Sequence, residues 1–171
     1  MNGPRHAVLA AAVAVVLGVS GYLSHAVLTT PSGSFEALTL YDPDDPREVA
    51  GSADDVFHAE VTAHTGRRTI AHVPSELYEV RVGRVFKGGL AGTVTITVPA
   101  GDPALEAGTK YVFTTAAWGN REREHAVLSD TRPLLAPDLG ARVPDLPGEP
   151  VRTVGELWQW AVRHQIDVTP E

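Results

Sequence analysis

The chain has 171 residues, a formal charge of −7 and no cysteine. The acidic balance excludes the basic stripe expected of a nucleic-acid binder. The missing thiols exclude disulfide stapling, Cys-ligated zinc and thiol catalysis together. Past an N-terminal segment of distinct composition, roughly 140 residues remain, enough for one domain with its own apolar core. Basic residues are mainly Arg, which carries no functional inference by itself.

Residues 1–28 form a separate region. Ala7 to Leu23 carry no charge, Arg5 precedes them, and the next acidic residue is Glu36. As a membrane helix, Ala7–Leu28 spans about 33 Å, matching a hydrocarbon core of about 30 Å. As a signal peptide, Arg5 is the basic start, Ala7–Val19 the apolar stretch, and Ser24-His25-Ala26 the small-residue cleavage site. Both alternatives place the remainder outside. Positive charge precedes the segment, while Asp42, Asp44 and Asp45 follow it. The expectation is a single-pass membrane protein with its N-terminus inside and C-terminus outside, or a secreted one. The membrane is then a partner through this segment.

Residues 29–50 read as an extracytoplasmic linker. Thr29 to Arg47 combine Pro, Ser, Gly and acidic residues, the composition of a solvated tether. Phe35, Leu38, Leu40 and Tyr41 leave room for a short strand or for packing against the domain. Asp42, Asp44 and Asp45 do not make an EF-hand. Its sixth and twelfth positions would be Arg47 and Ala53 rather than Gly and Glu.

From residue 51 the apolar period becomes two, the mark of half-buried strands. Phe57, Ala59, Val61 and Ala63 alternate with His58, Glu60, Thr62 and His64, and Thr65-Gly66-Arg67-Arg68 ends that strand. Between Leu77 and Lys87, Tyr78, Val80, Val82 and Phe86 share one face against Glu79, Arg81, Gly83 and Val85. Arg84 breaks the pattern and marks a strand end or bulge. After the Lys87-Gly88-Gly89 turn, Val94, Ile96 and Val98 point inward from a third strand. Lys110–Ala116 is a fourth, Trp118–Glu122 a polar loop, and His125–Asp130 a short fifth. Five short strands between Gly/Pro turns predict a mainly β domain over 51–135, a small sandwich or barrel.

Residues 136–171 hold an irregular wrap and one closing helix. Leu134–Pro150 is rich in Pro and lacks a period. Thr153-Val154-Gly155-Glu156 has the T-x-x-E form of a capping box. Val154, Leu157, Trp158 and Ala161 then line one helical face, with Trp160 off it.

The strand region resembles the netrin-like, or TIMP-like, OB-fold domains. Ser52-Ala53-Asp54-Asp55-Val56-Phe57-His58-Ala59-Glu60-Val61 is similar to their opening strand. Leu77-Tyr78-Glu79-Val80-Arg81-Val82 with Val85-Phe86-Lys87-Gly88 resembles their second. Leu105-Glu106-Ala107-Gly108-Thr109-Lys110-Tyr111-Val112-Phe113 resembles a third family segment. The resemblance runs from Gly51 to Leu134 in consistent order. It implies a five-stranded Greek-key OB-like barrel with a C-terminal α-helix packed on it, here a cysteine-free variant. Inhibitors of that family act through an N-terminal cysteine, so their chemistry does not carry over. Members also place a Cys-Gly or Cys-Ser pair after the fifth strand, where this chain reads Leu128 to Leu134 without cysteine.

Candidate chemistry is sparse. His58 and His64 share a strand face with Glu60, but six residues of strand separate the imidazoles by about 20 Å, too far for one ion. Neither G-x-S-x-G nor H-E-x-x-H occurs. His125 and Ser129 are about 13 Å apart on an extended chain. The expectation is no catalytic residue, no metal and no cofactor. Arg67 and Arg68, with Arg81 and Arg84, offer a small basic patch, unless Glu60 and Glu79 pair with it across strands. Trp118 and Trp160 are the candidate partner contacts, since Trp is enriched where partners bind. The resulting expectation is a non-catalytic extracytoplasmic binding module with a protein or cell-wall partner. The alternatives are a structural part of an envelope complex or a metal-dependent envelope enzyme.

Overall fold

The computed structural model describes residues 40–120, 123–144 and 151–168. The N-terminal apolar helix expected over 1–28 lies outside them. Among the described residues, no helix is long and apolar enough to cross a membrane. All of them belong to one compact unit, Leu38–Glu171.

The first described element, α1, is Pro46–Ser52, which crosses the end of the stretch expected to be a solvated linker. Its start is chemically determined. Asp45 is the N-cap and accepts from the Arg47 N–H, while Pro46 supplies a preset φ in the first turn. Glu48 reaches back to the Asp42 N–H at 2.8 Å. Val49 and Ala50 are buried, so packing starts several residues before the expected boundary at 51. The Asp/Pro composition that suggests a tether is also the composition of a helix start.

The strands are β1 (Asp55–Ile70), β2 (Val73–Lys87), β3 (Thr93–Pro99), β4 (Lys110–Ala117), β5 (His125–Val127) and β6 (Leu134–Leu135). They form a mainly β, six-stranded sheet in the order β1-β2-β3-β5-β4-β6, and β1 also pairs with β4. The extra pairing closes β1 to β5 into a ring of five strands. β3 and β5 run parallel, and the other pairs are antiparallel. β6 lies outside the ring on β4, within the segment expected to be irregular.

Two corrections concern the first hairpin. Thr65-Gly66-Arg67-Arg68 does not end β1, which continues to Ile70 and turns through Ala71 and His72. Both turn residues have positive φ, 47° and 70°, the left-handed pair a two-residue hairpin needs. The second correction is one of phase. His58 faces Arg84 and Ala59 faces Val82, which leaves Gly83 as an extra residue. This bulge turns Val85 onto the same core as Val82 and sends Phe86 to the other side. The expected partition of Phe86 and Val85 is therefore reversed.

Two apolar clusters result. Inside the ring, Phe57 stacks on Phe113 with centroids 5.4 Å apart, and Val61, Val80 and Ile96 fill the space around them. On the opposite face of β1 and β4, Val56 and Val112 meet Val49, Ala50, Ala136, Trp158 and Ala161. The last two come from α2, Val154–Arg163. Its Thr153–Glu156 capping box forms as expected, with both reciprocal backbone bonds present. α1 lies close to the chain leaving α2. A Cβ on Gly51 would fall 1.9 Å from the Ile166 carbonyl oxygen, and the Ile166 N–H donates to Arg47 O. Only glycine permits that approach.

Candidate binding cleft

The expected contact residues fall into two places. Arg67, Arg68 and the Trp118 loop come together where the β1–β2 hairpin meets the β4–β5 connection. Bulges at Thr62 and Thr65 shift the register so that Arg67 stands opposite Glu76. Arg67 Nε donates to Glu76 Oε1 at 2.6 Å, and His64 Nε2 lies 2.9 Å from Glu76 Oε2. These two partners, Arg67 first, hold the Glu76 carboxyl below the usual glutamate range. Arg68 pairs with Glu124, which is 3% exposed and also accepts from Asn120 Nδ2 at 2.7 Å. Trp118 is half-buried. Its indole N–H donates to Thr97 Oγ1 at 2.8 Å, and its backbone N–H to Glu124 O.

The basic patch is thus internally neutralised, with Glu76 and Glu124 as partners where Glu79 was expected. Arg81 does pair with Glu60 at 2.9 Å. Arg84 lies over the Phe86 ring, 5.2 Å from its centre.

Trp160 sits apart on α2. Arg47 covers one side of its ring at 5.7 Å and His164 packs at 5.5 Å. Covered in this way, it is half-buried rather than presented to solvent.

The histidines of β1 are also engaged, and that of β5 lies beside a carboxylate without a hydrogen bond at its Nδ1. His58 Nε2 lies 2.8 Å from Ala136 O. His125 Nδ1 lies 3.2 Å from Asp55 Oδ2, with both side chains nearly buried. Gly88 makes room for that carboxylate, since a Cβ there would come within 1.9 Å of Asp55 Oδ1. Among the described residues, no three His, Asp or Glu are placed to hold a metal ion. The Ser129 carbonyl and the Asp130 charge both lie near Tyr41. Tyr41 donates to Ser129 O, and burial, then the Asp130 charge, push its phenol up to about 12.

A concavity lined by described residues lies elsewhere, on the helix side of the sheet. It encloses about 500 Å³. Val49 of α1, Val112 of β4 and Trp158 of α2 meet there, joined by Leu134, Val143 and Leu157. Pro43 and Pro46 enter from the α1 side and Pro144 from the wrap before α2. The polar part of the lining is Thr114, Thr131 and three charged residues: Asp44 just before α1, and Asp130 and Arg132 between β5 and β6. Asp130 has a left-handed φ of 59°, which turns the chain where Thr131 Oγ1 donates to Leu128 O. Trp158 is 8% exposed and its indole nitrogen is buried without a hydrogen-bond partner. An apolar hollow of this volume with few polar groups has the make-up of a ligand site.

None of these residues stands out in the sequence as a contact residue. The one local signal was Asp45-Pro46-Arg47-Glu48, a helix N-terminus whose turn aims Val49 at the sheet. Compared with protein-family models and with curated proteins, the chain matches none.

Proposed function

We propose that this protein is a non-catalytic binding module on the outer side of a membrane, held there or secreted by its N-terminal apolar segment. The observation that carries the reading is the apolar-walled cleft between α1, α2, β4 and the β5–β6 connection. The closed ring of five strands, with a helix against one face, supports an OB-like barrel of netrin-like kind as its scaffold. The non-catalytic part draws on the imidazoles of β1. His58 and His64 are each engaged with a carbonyl or carboxylate of the protein itself. The outer location draws on the uncharged stretch behind Arg5 and the acidic residues after it.

The test is a thermal-shift comparison of the full chain with defined peptides, wall saccharides and anionic polymers. A true ligand raises the midpoint with its concentration, reaching about 2.7 kcal/mol at a hundred times its Kd. Leu157→Arg, which places a charged side chain in the cleft, removes the shift, and Trp118→Ala leaves it. A shift that Trp118→Ala abolishes and Leu157→Arg spares moves the site to the hairpin end and overturns this reading. A C-terminal reporter active only in the cytosol overturns the location.

A further inference from the structure

Of the three charged side chains lining the cleft, two of opposite sign, Asp44 and Arg132, have no partner among the described residues. Among the described residues, neither the Asp44 carboxylate nor the Arg132 guanidinium makes a side-chain hydrogen bond or ion pair. They come from separate segments, one before α1 and one before β6, yet both line the same hollow. Some charged groups elsewhere do pair, while others such as Arg142 and Arg152 do not, among the described residues. Asp45 binds Arg47 at 2.6 Å, Arg81 binds Glu60, and Arg68 binds Glu124.

We infer that the cleft takes a short apolar peptide with free ends, its carboxylate on Arg132, its ammonium on Asp44 and its side chains against Val49, Val112 and Trp158. This rests on the cleft being the binding site proposed above and specifies what enters it. Charge complementarity decides among ligand types. A purely apolar ligand would strip water from both charges and leave them unpaired, which costs free energy. A ligand with one charge would satisfy one group and strand the other. A zwitterion with an apolar body satisfies both and fills the walls. Beside an apolar wall each charge-assisted hydrogen bond is stronger than in open water. A volume of about 500 Å³ lies within the range of small-ligand sites and exceeds what a single small residue needs.

The experiment is calorimetric titration of the full chain with Leu-Ala-Leu, its N-acetyl form and its C-terminal amide. The free tripeptide binds, and each blocked form binds about tenfold more weakly or worse, as loss of one charge-assisted bond implies. Arg132→Gln weakens the free peptide and makes amidation inconsequential. Asp44→Asn does the same for acetylation. Both are exposed positions, so the variants keep their fold, which circular dichroism checks. Equal binding of all three forms overturns the inference. So does an amide penalty that survives Arg132→Gln, or no heat with any form at millimolar peptide. If these tripeptides fail while Leu157→Arg still abolishes a thermal shift from another compound, the cleft stands as the site and the zwitterion assignment falls.

Discussion

The hairpin end and the helix side of this domain are built from similar parts and reach opposite outcomes. Each gathers a tryptophan, an arginine and acidic side chains from distant stretches of chain. At the hairpin end every one of them has a partner: Arg67 and His64 on Glu76, Arg68 and Asn120 on Glu124, Trp118 on Thr97. On the helix side the apolar surfaces of Leu134 and Leu157 border open space, and Asp44 and Arg132 have no partner among the described residues. Residue type alone pointed to the first region. Partner satisfaction points to the second, because a side chain already bonded within the protein has less to offer a ligand.

The largest expected effect tests whether the cleft is part of a structural core. Trp158 is nearly buried and joins α2 to α1 and β4. Trp158→Ala should cost about 3–5 kcal/mol in denaturant unfolding, the range for deleting a large buried aromatic. A cost below about 1 kcal/mol would show α2 to be loosely docked and the cleft to be ill-defined.

Glu124→Ala probes the opposite region. It removes the acceptor for Arg68 and Asn120 beneath the Trp118 loop. Arg68 is about two-fifths exposed and can turn to water, so the penalty is smaller than for a fully buried pair. We expect about 1–3 kcal/mol, with ligand binding at the cleft unchanged. Loss of cleft binding in this variant would show the two regions to be coupled and would remove the contrast between them.

Much of this architecture was legible in local pattern, and the reasons for the gaps are physical. β3 follows from strict alternation of Val94, Ile96 and Val98 with threonine, β4 from its run of strand-forming residues around Tyr111 and Phe113, and α2 from its capping box. α1 was missed because Asp45 and Pro46 signal both a tether and a helix start, and only burial of Val49 and Ala50 distinguishes them. The length of the first hairpin was hidden because Ala71-His72 lacks the Asn-Gly signature of its turn, while Gly66 within β1 resembles a break. Gly83 inverted the faces of Val85 and Phe86, since one bulge reverses every later assignment in a period-two reading. The cleft was least legible of all. Its lining comes from several separate segments, and no local spacing encodes their convergence.

The smallest effect sharpens the comparison at a single ion pair. Arg67 and Glu76 face each other on exposed strands, so Arg67→Ala should leave stability near neutral pH almost unchanged. Its signature is in titration. Glu76 is held below the ordinary glutamate value, first by Arg67 and then by His64. A lowered carboxyl favours the folded state above the unfolded glutamate value of about 4.3, and that contribution fades as pH falls through the lowered folded value. Without Arg67 the Glu76 carboxyl should titrate higher, nearer its unfolded value, as followed by the carboxyl carbon shift in NMR. His64 remains as a second partner, so the return is partial, and the acid-side loss of stability becomes shallower. A Glu76 titration unmoved by Arg67→Ala would mean that the guanidinium does not hold this carboxylate in solution. Arg67 would then be free to meet an anionic partner, and the hairpin end would regain its claim as a binding surface.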